Sequence, residues 1–169
     1  MKNNQLMIYG AYGYAGELMV REAVAQGLRP IIAGRDDEKL KPIATELSLE
    51  CRAFGVRNTG SNLQDISVLL NCAGPFSATA EPLARACLAQ QIHYLDITGE
   101  IDIFRKCHAL DEEARQQNVL ILPGAGTDIV PTDCLAAMLK EKLPVATRID
   151  LALSFGTNPV SYTHLTLPT

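Results

Sequence analysis

Residues 6–16 read LMIYGAYGYAG, a short apolar run that closes on Gly10, Gly13 and Gly16. An apolar run of this length reads as a buried strand, and glycines at this spacing let the chain turn sharply from it into a helix. A strand, a glycine turn and a helix start together present backbone N–H groups to an anion, which is how a chain grips the pyrophosphate of a dinucleotide. Glycine triplets also serve plain turns with close helix packing, so the reading depends on the segments downstream.

Those segments are consistent with it. Residues 16–26 have Leu18, Met19, Ala23 and Val24 at helical spacing, Gly27 stops that helix, and residues 29–33 (RPIIA) form a second apolar run. Strand, helix and strand are then complete within about thirty residues, the unit that the glycine motif needs around it. Residues 36–47 (DDEKLKPIATEL) read as a helix capped by Asp36, with a kink or a short first turn at Pro42 because proline has no N–H to give. A weak strand at 51–56 and a polar loop at 57–64 precede a buried strand at 66–72 that ends in the breaker AGPF. A helix at 79–91 holds Pro82 in its first turn, and a strand at 92–97 leads to a single amphipathic helix at 101–117. Residues 119–122 are a sixth strand running into PGAGTDIVPTD, and residues 132–142 a last helix.

Strands alternating with helices in this way specify an α/β fold, a doubly wound parallel sheet with the spatial order 3-2-1-4-5-6. Residues 148–155 alternate apolar and polar, which suits a sheet with one solvated face and so the beginning of a second domain. The expected organisation is a dinucleotide-binding domain at 1–146, the start of a second, truncated domain at 147–160, and a tail at 161–169 (SYTHLTLPT) that reads like translated adapter sequence foreign to the protein.

Composition excludes several classes of function. The net charge of −4 over 169 residues gives no positive field for a nucleic acid. No apolar run reaches the length of a membrane span, and Lys2 is followed by a strand too soon for a signal sequence, so the expected location is the cytoplasm. The five cysteines are scattered with no CxxC pair, which reads as small buried thiols and no metal site.

The candidate cofactor residues are Gly10, Gly13 and Gly16 with the interleaved Tyr12, Tyr14 and Ala15; the tyrosines either flank the cofactor or cap strand ends. At the end of the second strand, where an acidic residue would hold the ribose 2′-hydroxyl of NAD, stand Gly34 and Arg35. An arginine there suits the 2′-phosphate of NADP, and Asp36, one residue late, works better as the helix cap. Ala73, Gly74 and Pro75 leave the fourth strand, where backbone can lie against the ribose or the nicotinamide. Asp96, Thr98 and Glu100 leave the fifth strand and Thr127, Asp128 and Asp133 come after the sixth, as proton donors, substrate contacts or helix caps, with Asp133 best suited to a cap.

Three other chemistries find no support. No tyrosine is followed four residues later by lysine, as short-chain reductases need. Cys134, the one candidate for a semialdehyde dehydrogenase nucleophile, has the apolar neighbours Leu135, Ala136 and Ala137 and is expected to be buried. Gly16 is followed by Glu17 and Leu18, not by the lysine and hydroxyl residue of a nucleoside triphosphate loop.

The ordered motifs IYGAYGYAG, AGRDDEKL, NCAGPF, HYLDITGE and PGAGTDIVPTD together resemble the saccharopine dehydrogenase-like reductases, particularly the branch with the trans-acting enoyl reductases, over residues 5 to about 156. The resemblance implies an N-terminal NADP-binding Rossmann domain with Gly10, Gly13, Gly16 and Arg35 at the cofactor. It also implies a C-terminal α+β domain for substrate binding and dimerisation, beyond this chain, and a homodimer when full length. The expected activity is NADP-dependent hydride transfer to a small molecule carrying an imine or an activated C=C bond, with the present chain inactive alone. The alternative is a nonenzymatic NADP(H)-binding regulator.

Overall fold

The computed structural model describes residues 5–127 and 129–151. Six short strands, β1 (Leu6–Tyr9), β2 (Ile31–Gly34), β3 (Cys51–Ala53), β4 (Val68–Asn71), β5 (His93–Asp96) and β6 (Ile121–Leu122), form one sheet in the order β3-β2-β1-β4-β5-β6. Every pairing is parallel, with Met7 opposite both Ile31 and Leu69 in the centre. The central strands read as continuous apolar runs because both faces of the sheet are covered. Met7, Tyr9, Leu69 and Tyr94 point into one core; Ile8, Ile32 and Cys72 belong to the other. This is the doubly wound order expected, and it puts the reversal of strand order between β1 and β4, where the C-terminal strand ends leave a crevice.

Helix α1 (Tyr14–Ala25) begins ahead of the expected residue 16, and its buried face is Gly16, Val20 and Ala23. Leu18 is exposed, contrary to the expectation from periodicity. The close seat of Gly16 against the glycine turn fixes the rotation of the helix, and Val20 and Ala23 lie beyond it at i+4 and i+7. Helix α2 (Asp37–Leu47) is capped as expected: the Asp36 carboxylate accepts from the Lys39 N–H at 3.3 Å, and the helix runs on through Pro42. Its buried residues Leu40, Ile43 and Ala44 hold the turn on both sides of the proline.

Helix α3 (Phe76–Ala89) starts before the expected residue 79, which moves Pro82 out of the first turn and into the helix. Phe76 is buried and joins the core, so the helix begins as soon as the chain leaves Pro75. The single helix expected at 101–117 is two, α4 (Ile101–His108) and α5 (Asp111–Gln116). Ile103, Cys107, Leu110 and Ala114 are all buried at spacings of three and four, so apolar periodicity continues across the break and hides it.

Helix α6 (Val130–Lys142) carries no buried residue. Cys134 on it is exposed, correcting the expectation of burial; Cys72, Cys87 and Cys107 are buried and Cys51 partly so. Residues 148–151 form no strand, while the rest of the strand expected to 155 and the tail at 161–169 lie outside the described residues.

Candidate cofactor site

At the end of β1 the chain turns through Gly10, at φ +84°, a conformation that side chains rarely tolerate. The N–H groups of Gly10 and Ala11 donate to the carbonyl of Ala33 at 2.8 and 3.1 Å, tying the turn to the end of β2. The Gly13 N–H donates back to the Gly10 carbonyl at 3.0 Å. A Cβ on Gly10 would lie 2.7 Å from the backbone nitrogen of Ala73, and one on Gly16 would enter the Gly10 carbonyl group. The turn is therefore packed backbone against backbone, against both its own helix and the β4 turn.

Gly13 is the N-cap of α1 and has no side chain to give it. Helical geometry provides no partner for the N–H groups of Tyr14, Ala15 and Gly16, so the helix start is an uncapped donor set. These features fit the pyrophosphate of a dinucleotide: a backbone cradle without side chains, with the positive end of a helix behind it. Tyr14 is exposed beside it; the Tyr12 ring lies against Gly34, where an added Cβ would meet its edge at 2.6 Å.

Arg35 comes directly after β2 and is exposed. Among the described residues it has no hydrogen bond or ion pair, whereas Asp36 is held by the start of α2 and lies 3.6 Å from the Lys39 ammonium. Lys39, which has no distinctive signature in the sequence, also stands 5.6 Å from the centroid of the Tyr12 ring.

The second turn at the crevice, Ala73 to Pro75, is held by a buried polar chain that crosses the sheet. Asn71, fully buried at the end of β4, accepts from the Ala73 N–H at 3.0 Å and donates to the hydroxyls of Thr79 and Tyr94 at 3.2 and 3.1 Å. Thr79 donates to the Ala73 carbonyl at 2.6 Å. The Tyr94 hydroxyl donates to Asp96 Oδ2 at 2.8 Å, and Asp96 Oδ1 accepts from the N–H groups of Thr98 and Gly124 at 3.0 and 2.9 Å. Among the described residues no buried side-chain nitrogen or oxygen lacks a partner. Burial first, and the Asp96 charge second, hold the Tyr94 hydroxyl neutral far above its ordinary range and push the Cys72 thiol up to about 12.

Asp96 and Thr98 are thus fully enclosed, and their polar atoms brace the loops after β5 and β6. Glu100 is half-buried at the start of α4, Thr127 is exposed, and Asp128 lies outside the described residues. Asn71, Thr79 and Tyr94 do not stand out in the sequence as site residues. An asparagine closing an apolar strand (VLLN), and tyrosine and aspartate on one face of the next (HYLD), are the signals that could have found them.

Among the described residues no helix is long and apolar enough to cross a membrane, and no cluster of three or more His, Cys, Asp or Glu could hold a metal. A saccharopine dehydrogenase-like oxidoreductase from Rattus norvegicus is 27% identical over 152 residues, 76% of this chain and 35% of the relative. A protein named as a trans-acting enoyl reductase, from Mycobacterium tuberculosis, is 27% identical over 145 residues, 76% of this chain and 33% of its own length. The chain therefore spans about a third of the curated relatives it matches. Among solved structures, apo saccharopine dehydrogenase (L-Glu forming) from Saccharomyces cerevisiae has a TM-score of 0.71 at 12% identity, over 85% of this chain and 32% of that one, a likeness of fold alone. The sequence profile of the saccharopine dehydrogenase NADP binding domain matches residues 6–122, the span from β1 to β6, and the chain belongs to that family.

Proposed function

We propose that the chain is the cofactor-binding part of an NADP-dependent oxidoreductase that moves hydride between the nicotinamide and an imine or activated C=C bond of a small molecule. The observation that carries it is the uncapped start of α1 behind a self-packed glycine turn, with Arg35 at the end of β2 making no hydrogen bond or ion pair among the described residues. In this reading the backbone of Gly10, Gly13, Tyr14, Ala15 and Gly16 holds the pyrophosphate, Tyr12 and Arg35 take the phosphorylated ribose, and Ala73, Gly74 and Pro75 line the nicotinamide side. A bound nicotinamide supplies the hydride; the protein's share is to orient the ring and exclude water. Thr98 and Glu100, with Thr127 and Asp128, border the substrate side. A second domain completes the substrate pocket and the homodimer. The five free thiols fit a reducing compartment such as the cytoplasm.

Arg35→Ala tests the cofactor assignment. It is expected to weaken NADPH binding by about 1.5 to 3 kcal/mol, the range for a hydrogen bond to a charged group, and to leave NADH almost unchanged in a fluorescence titration. Equal losses for both cofactors would sink it. A nonenzymatic NADP(H)-responsive regulator is the second reading, favoured by one observation: the Asp96 carboxylate, at the C-terminal end of β5, is already occupied by three hydrogen bonds. Turnover of the full-length protein on a panel of imines, enones and semialdehydes separates the two.

A further inference from the structure

The start of α2 presents an obstacle to a second anion at the end of β2. Arg35 is followed by Asp36, Asp37 and Glu38, so a phosphorylated ribose held by Arg35 would sit next to a first helical turn carrying three carboxylates. Each of them is engaged by a lysine one turn along the helix. The Lys41 ammonium lies 2.7 Å from Asp37 and 3.0 Å from Glu38. Asp36 is held twice by one residue: its Oδ1 accepts from the Lys39 backbone N–H at 3.3 Å, and its Oδ2 lies 3.6 Å from the Lys39 ammonium.

Lys39 is placed for this by a third contact. Its ammonium stands 5.6 Å from the centroid of the Tyr12 ring, and that ring is lodged against Gly34, the last residue of β2. The lysine thus reaches back from the helix towards the glycine turn, between the aspartate and the aromatic face. Asp36 itself is one residue beyond Arg35, close to where an acidic side chain would accept a ribose 2′-hydroxyl.

We propose that Lys39 is a specificity-determining residue: engaging Asp36 and resting on Tyr12, it withdraws the carboxylate that would otherwise recognise a plain ribose and repel a phosphorylated one. The inference rests on the NADP reading, but its test separates the two. Binding of 2′,5′-ADP and of 5′-AMP to the chain is measured by isothermal titration, which needs no substrate and no turnover. The wild type prefers 2′,5′-ADP. Lys39→Gln lowers that preference about fivefold, the upper range for an exposed ion pair, while Lys39→Arg holds it within about twofold. Adding Asp36→Asn to Lys39→Gln restores the preference, because the competing charge is gone and asparagine still caps the helix. Lys39 is largely exposed, so a thermal melt of each variant is expected to match the wild type.

If Lys39→Gln keeps the wild-type preference while Arg35→Ala abolishes it, the role of Lys39 is overturned and the NADP reading stands. If the double variant does not recover, the masking of Asp36 is overturned. Equal affinity of the wild type for both probes overturns the NADP reading and this proposal with it.

Discussion

Gly16 sets the tolerance of the glycine turn. An added Cβ would enter the Gly10 carbonyl group, with the Gly10 carbonyl carbon at 2.8 Å and Ala11 Cα at 3.0 Å, and none of these atoms can rotate away. Alanine is the better helix former by about 1 kcal/mol, yet overpacking against backbone outweighs that. Gly16→Ala is therefore expected to destabilise the chain by about 2 kcal/mol or more, read as a lower urea midpoint. A rise in stability, which helix propensity alone would give, would show the turn to be looser than its geometry. This residue was legible in the sequence because a glycine at the start of a helix is conspicuous. Lys39 was not, since a lysine in the first turn of a charged helix reads as solvated, and only the position of Tyr12 distinguishes it.

Among the elements, strand order came from alternation alone, because apolar runs bounded by glycine and proline are separated by helices of crossover length. Helix boundaries did not, and the break between α4 and α5 shows why: the buried residues Ile103, Cys107, Leu110 and Ala114 keep their period through it. The polar chain from Thr79 to Gly124 was equally hidden, since it joins residues from four segments that only the sheet brings together. It makes β4 and β5 mechanically one piece with the turns above them. Tyr94→Phe removes the hydroxyl that bonds both Asn71 and Asp96, and is expected to destabilise the fold by about 1 to 3 kcal/mol by leaving buried groups without a partner. Asn71→Ala also releases the Ala73 N–H, so it should weaken NADPH binding more than Tyr94→Phe does at a comparable loss of stability. Equal effects on binding, measured beside urea denaturation, would mean that Asn71 contributes nothing specific to the turn.

Across the whole molecule, the two cores flanking the sheet hold several weak acids in their neutral form. Burial, with Asp96 adding to it, raises the Cys72 thiol from 9.0 to about 12, and burial alone takes Cys87 to about 12. Cys107 moves to about 11, from burial with the charges of Asp96 and Glu81, and Tyr9 from 10.0 to about 12, chiefly from burial. In each case the folded value lies above the unfolded one, so the unfolded chain releases its protons first as pH rises. The stability that these groups contribute is complete below about pH 9 and is lost between about pH 9 and 12. Cys72 and Cys87 together give a slope of about 3 kcal/mol per pH unit in that window, and Cys107 and Tyr9 act in the same direction. A domain of ordinary stability, about 5 to 15 kcal/mol, should then unfold within a few pH units above 9. Urea denaturation repeated from pH 8 to 11 should show a plateau and then this fall, with Cys87→Ala shallower by about half the slope of the pair. A stability that stays level through pH 11 would mean that the thiols ionise in place and that the cores admit water.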